Sequence, residues 1–88
     1  MACAYVLYSE KNARFYVGSS KDDGAQPRIK GHNAGKVKSS KAFRPWSLIH
    51  EEIFPNYTEA RKRENFLKSG QGRQWIKERW QSGRMRRS

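Results

Sequence analysis

The sequence predicts one small α/β domain, made of a β-hairpin, a third strand and three helices. Three observations carry that expectation. Two runs rich in β-branched and aromatic residues, "CAYVLYS" and "FYVGS", flank the turn-like "EKNAR", which is a hairpin pattern. A third such run, "WSLIHEEIF", is closed by Pro55, which a central strand does not tolerate. The remaining segments carry helix start and stop residues rather than strand alternation.

Residues 3–19 form the expected hairpin. With its turn centred between Glu10 and Lys11, Tyr5 faces Tyr16, Val6 faces Phe15 and Ala4 faces Val17. Alternation then gives one face Ala4, Val6, Phe15 and Val17, suited to a core. The other face carries Tyr5, Leu7, Tyr16 and the bare Gly18, two phenols side by side next to an opening. A glycine inside a strand marks a bulge or a close backbone approach, so something is expected to come near the chain at Gly18.

The polar loop "KDDGAQP" leads to Pro27, placed for a first helical turn where its missing N–H costs nothing. The helix "QPRIKGHNA" is expected to stop near Gly35, with Arg28 and His32 four apart on one face. A basic, serine-containing loop, "GKVKSSKAFRPW", precedes the third strand over residues 46–54. "TEARKRENFLKSG" is the clearest helix, with Thr58 as the expected N-cap, Glu59 in the first turn and Gly70 as its end. A last helix over residues 72–80 groups Trp75, Ile76, Arg79 and Trp80 for packing, and residues 81–88 read as a basic, flexible tail. The domain is therefore expected to span residues 1–80.

Eighty-eight residues leave no room for a second domain, and a chain this short buries only about 60–65% of its unfolded surface. Three Trp, four Tyr and four Phe offset the low hydrophobic content of 35%. The single Cys3 excludes an intramolecular disulfide, and one Cys with two His cannot complete a zinc site without carboxylates. No apolar run approaches the roughly 18 residues of a membrane span, and the N-terminus lacks a signal-peptide pattern. A reducing cytoplasmic setting follows as the expectation. Nineteen Lys and Arg against eight Asp and Glu give a net charge of +11. A field of that density attracts a polyanion, and phosphate contacts release counterions.

One acid stands out. Ala60, Glu64 and Leu67 fall on one helical stripe, so Glu64 occupies a position that patterning assigns to an apolar residue. A buried charge is costly unless it is paired or bound to a metal, and a salt bridge to an arginine is the competing reading. Tyr5, Tyr16, Gly18, Arg28, His32 and Glu64 together suit one task beside a basic surface, hydrolysis of a phosphodiester. A lone carboxylate can hold a hydrated Mg²⁺, arginine matches phosphate with paired donors, and a Tyr or His can take or relay a proton.

The sequence resembles the GIY-YIG nucleases. "CAY", residues 3–5, stands at the first motif and "YVG", residues 16–18, at the second, with the two tyrosines eleven residues apart. "RIKGHN" resembles the family's arginine helix. "SKAFRPWSLIHEEIF" and "EARKRENFLKSGQGRQWI" resemble the small stand-alone branch related to the catalytic domain of the bacterial excision-repair incision nuclease. The resemblance implies an α+β arrangement, a small three-stranded antiparallel sheet flanked by helices, that cuts DNA with one divalent ion, Mg²⁺ or Mn²⁺. It implies Glu64 as metal ligand, Arg28 on the scissile phosphate, Tyr5 and Tyr16 lining the site, and His32 relaying a proton. Gly18 would let the backbone approach the phosphate. Which tyrosine is the base stays open, as does the choice among branched, damaged and single-stranded DNA and the need for a protein partner. A binding module that kept the fold without efficient cleavage is the alternative.

The chain departs from the family pattern in places. Cys3-Ala4 replaces Gly-Ile, the loop before Arg28 is slightly long, Ser19 and Ser20 precede Lys21 where some relatives carry lysine, and Ile76 falls near an expected asparagine. Lys21, Lys38, Lys41, Arg44, Arg84, Arg86 and Arg87 are assigned to general phosphate attraction. His50, flanked by Glu51 and Glu52, is read as solvated strand polarity rather than a metal ligand.

Overall fold

The computed structural model of the chain describes residues 1–38 and 40–87, with side chains through residue 79. Strands β1 (Ala2–Ser9) and β2 (Arg14–Ser20) form the hairpin, α1 (Gln26–Asn33) follows, and a 3₁₀ turn (Lys41–Phe43) leads to β3 (Ser47–Phe54). Helices α2 (Tyr57–Lys68) and α3 (Gly70–Arg87) complete the chain. The sheet order is β2-β1-β3 and both pairings are antiparallel. The expected three-stranded antiparallel sheet with helices is the observed fold.

The hairpin register differs from expectation by two residues. Tyr5 pairs with Gly18, Val6 with Val17 and Leu7 with Tyr16, and the strands close at Ser9 and Arg14. The turn is therefore residues 10–13, in which Ala13 takes a positive φ of 52°. Alanine does not advertise that left-handed conformation as Gly or Asn would. A slip of two preserves alternation, so the two faces carry the expected residues.

Both faces are covered. Every residue of β1 is buried, because β1 is the central strand and has a layer on each side. Cys3, Tyr5 and Leu7 pack with Ala25 and Trp46 on one face, with Tyr16, Ile29, Phe43 and Leu48 around them. Val6 packs with Leu67 and Ile76 on the other, joined by Phe15, Val17, Ile49 and Trp75. The opening expected beside the phenols is closed over Tyr5, which is 1% exposed. The cover comes from α1 and the segment through Trp46, a coil with no periodicity to betray it.

That coil is held by named bonds. Asn33 at the end of α1 accepts from the Trp46 backbone N–H through Oδ1 at 2.6 Å and donates to the Trp46 carbonyl through Nδ2 at 3.1 Å. The Trp46 indole in turn donates to the Ser40 carbonyl at 3.0 Å. Helix α1 ends as expected at Gly35, whose φ is +81°. Gly35 N–H donates to the His32 carbonyl and Lys36 N–H to the Gly31 carbonyl, the paired closing bonds of a helix whose next residue is left-handed.

Helix α2 begins earlier than Thr58. Asn56 is its N-cap, accepting from Glu59 N–H at 2.9 Å, and such a cap stabilises by about 1 kcal/mol. Ser69 caps its C-terminus, so Gly70 opens α3 rather than ending α2. Ala60, Glu64 and Leu67 are all buried, as the stripe predicts. Ile76 is 4% exposed within the core, so this residue contributes packing. The Arg79 guanidinium lies over the Trp75 ring at 4.7 Å; the Trp80 side chain lies outside those described.

Candidate active site

The six singled-out residues fall into two groups on opposite faces of β2, one of the two edge strands. Tyr5, Tyr16, Arg28 and His32 belong to the first. The Tyr5 hydroxyl lies 3.4 Å from His32 Nε2, and the His32 ring meets Tyr16 edge-on at a centroid distance of 4.4 Å. Arg28, exposed on α1, lies beside the Tyr5 hydroxyl, where its charge acts on the phenol. The i, i+4 spacing thus puts Arg28 and His32 on the same phenol.

Gly18 belongs to this face as well. A Cβ there would stand 2.5 Å from the Tyr5 hydroxyl oxygen and 2.6 Å from its ring carbon Cζ. The group that comes close to the bare backbone is therefore the Tyr5 phenol, which occupies the space read from sequence as room for a phosphate.

Burial sets the protonation states. It pushes the Tyr5 phenol above its usual value, although Arg28 pulls the other way. It pushes His32 below 6.5, and the Arg28 charge adds to that effect. At neutral pH the pair is a protonated phenol against a neutral imidazole. Arg28 is held more firmly charged, first by the Tyr5 phenol beside it.

Glu64 anchors the second group, at a relative exposure of 9%. Oε1 accepts from Ser19 Oγ at 2.5 Å and Oε2 from Lys68 Nζ at 2.6 Å, with Arg61 Nε 3.5 Å from Oε1. Burial alone would raise this carboxyl, but the Lys68 and Ser19 bonds and the two positive charges outweigh it, so it is lowered. Arg61 and Ser19 beside it hold the Tyr57 phenol below its usual value, and the Lys21 ammonium sits 5.4 Å over the Tyr57 ring. Gly18 and Ser19 are consecutive, so the two groups meet around the edge of β2.

Sequence reasoning missed Ser19, Tyr57, Arg61, Lys68 and Ser40 as members. Arg61 and Lys68 had a readable signal, since they stand three before and four after Glu64 on one helix. Ser40 had none. It lies in coil, is fully buried, and its Oγ is 2.7 Å from His32 Nδ1.

The assigned surface cations are placed unevenly. Lys21, Lys38, Lys41 and Arg44 are exposed. Arg44, however, donates to the Lys41 carbonyl at 2.9 Å and to the Asn33 carbonyl at 3.4 Å, so it is partly committed to holding the end of α1. The side chains of Arg84, Arg86 and Arg87 lie outside those described. His50 shares a face with Glu52, as expected, and bonds to it at 2.7 Å, while Arg63 of α2 bonds to the same Glu52 oxygen at 3.0 Å. That cluster ties α2 to β3 beside Trp75.

A small basic α/β domain of this topology, with a buried acid and a phenol–imidazole pair meeting at one strand edge, defines a class rather than a single protein. The chain belongs to the GIY-YIG family: the model of the GIY-YIG catalytic domain matches residues 1–80. It is a phosphodiester-hydrolysing nuclease domain. Searches of the curated proteins and of the solved structures gave no match. Among the described residues no helix is long and apolar enough to cross a membrane.

The family typically uses a divalent metal, and the residues present fit one ion of a particular kind. Among the described residues no cluster of three or more His, Cys, Asp or Glu is arranged to hold a metal. The available donors are oxygens, a Glu64 carboxylate oxygen and Ser19 Oγ, which suits a hard ion that keeps most of its waters. Two protein cations already crowd the carboxylate, Arg61 and Lys68, each with a side chain 54% exposed.

Proposed function

We propose that the chain is a divalent-metal-dependent DNA endonuclease, with Glu64 and the Ser19 hydroxyl holding one Mg²⁺ or Mn²⁺ ion. The observation that carries this reading is the lone buried carboxylate at the β2 edge, one residue round from a phenol bonded to a neutral imidazole. When bound, the ion supplies positive charge that steadies the phosphate oxygens and the leaving oxygen. Arg28 moves from the Tyr5 hydroxyl to the phosphate, where its planar donors match two oxygens. Tyr5 is 1% exposed in the closed structure, so the attacking water reaches it only once Arg28 has moved away; the phenol then takes the water's proton while its own passes to His32 Nε2. The hydroxide oxygen bonds to phosphorus, the bond to the leaving oxygen breaks, and that oxygen gains a proton from solvent. Tyr16, packed on His32, lines the same site.

The same reading extends to a role in DNA repair in the cytoplasm, for which the support is the sequence resemblance of residues 40–54 and 59–76 alone. Lys21, Lys38 and Lys41 add non-specific affinity that weakens steeply with salt, and the basic segment 81–88 extends it. A second reading has its own support. Glu64 is fully ion-paired as it stands, so the fold needs no metal, and a DNA-binding module without efficient cleavage fits that arrangement.

The test is nicking of supercoiled plasmid with Mg²⁺, Mn²⁺ or EDTA, run beside Glu64→Gln at matched fold and DNA affinity. Metal-dependent nicking that the substitution abolishes is the expected result. Cutting by both proteins would move the metal elsewhere, and DNA binding without cutting by either would favour the binding module.

A further inference from the structure

Ser40 was invisible to sequence reasoning, yet it is one of the few fully buried polar side chains. Its hydroxyl has two neighbours, the Val37 carbonyl at 3.3 Å and His32 Nδ1 at 2.7 Å. Ser40 Oγ donates its proton to the Val37 carbonyl at 3.3 Å. A hydroxyl has only one proton to give; with that proton on the Val37 carbonyl, Ser40 accepts from His32 Nδ1. The proton of the neutral imidazole is then on Nδ1, and Nε2 carries the lone pair. Nε2 is the atom that faces the Tyr5 hydroxyl.

We propose that Ser40 is a positioning residue that sets the tautomer of His32, so that Nε2 stands ready to receive the proton of Tyr5. The chain of donors then runs one way: Tyr5 to His32 Nε2, His32 Nδ1 to Ser40, and Ser40 to the Val37 carbonyl. When Tyr5 gives up its proton, the imidazolium that forms keeps a partner on both nitrogens. With the opposite tautomer, Nε2–H would point at the phenol and the transfer would have no acceptor. Ser40 itself is held from outside the site, because the Trp46 indole bonds its carbonyl and Asn33 brackets Trp46. The groups facing the imidazole among the described residues are Tyr5 from β1, Tyr16 from β2, Arg28 from its own helix and Ser40 from the coil. This arrangement also distinguishes the phenols, since Tyr5 is the one bonded to Nε2. The inference rests on the proposed nuclease reading for its consequence, but not for its structural content.

Nitrogen-15 NMR of the histidine rings in the full chain tests that content without any cleavage. Wild-type His32 is expected as the Nδ1–H tautomer, Ser40→Ala as a mixture or the Nε2–H form, and Ser40→Thr, which keeps the hydroxyl, as Nδ1–H again. In nicking assays Ser40→Ala is expected to lose about tenfold or more in kcat with little change in KM, and Ser40→Thr to recover most of it. An Nε2–H ring in the wild type, or an unchanged tautomer in Ser40→Ala, overturns the inference whatever the nuclease does. A wild type that shows the Nδ1–H ring but never cuts DNA would instead overturn the nuclease reading alone.

Discussion

Replacing Gly18 with alanine is the smallest change that separates the proposed architecture from a generic strand. The added methyl would stand 2.5 Å from the Tyr5 hydroxyl oxygen and 2.6 Å from Cζ, well inside contact distance. The phenol has little freedom to yield, being 1% exposed and flanked by Arg28 and His32. Overpacking of this kind costs about 1–3 kcal/mol. Restricting the unfolded chain returns about 0.4–1 kcal/mol, leaving a net loss of about 1–2 kcal/mol. At about 4–8 °C per kcal/mol for a domain of this size, Tm should fall by roughly 5–15 °C in a circular-dichroism melt. Nicking should fall further than stability does, by up to about a hundredfold, because a misplacement near 1 Å moves the phenol off His32 Nε2. In a Tyr5→Leu background the clashing atoms are absent, so the same alanine should cost little. Unchanged stability in Gly18→Ala, or an equal cost in both backgrounds, would refute the claim that the phenol fills the space over Gly18.

Lys68→Met removes the ammonium from Glu64 Oε2, so the Mg²⁺ concentration for half-maximal nicking should drop several-fold; an unchanged or higher requirement would mean that Lys68 and the ion do not compete. Glu52 tests the cluster between β3 and α2. Burial would raise its carboxyl, yet the bonds from His50 and Arg63 hold it below 4.5. The folded state therefore binds fewer protons than the unfolded one, and this contribution is present above the unfolded value and fades as pH falls from roughly 5 through the folded value. The Tm difference between parent and Glu52→Gln should accordingly be widest near neutrality and shrink toward acid, and a gap independent of pH would count against the assignment.

The faces of the hairpin were legible because alternation survives an even slip, which is why Tyr5 and Gly18 could be placed on one side while their pairing was misread. The turn was not legible because Ala13 is left-handed without being Gly or Asn. Asn56 and Thr58 are both good cap residues, and only the reach of the Asn56 side chain to Glu59 N–H decides between them. Glu64 announced itself by breaking an apolar stripe, and both readings of that break have physical content, since the acid is ion-paired and also stands at the strand edge. The closure over Tyr5 had no local signal. It depends on Asn33 and Trp46, thirteen residues apart, and on Ser40 in a coil.

Strand β2 also acts as a partition. Its alternation sends Gly18 toward the phenol and imidazole and Ser19 toward the carboxylate, so the proton-handling half and the charge-bearing half lie back to back and are aligned by main-chain atoms alone. Side chains on either half can therefore change with little disturbance of the other. Inserting or deleting one residue in β2 has the opposite character: it exchanges the two faces from that point on, turning a serine toward the phenol and a glycine toward the acid. Tolerance to substitution and intolerance to a frame change within a single strand is the evolutionary signature such a partition would leave.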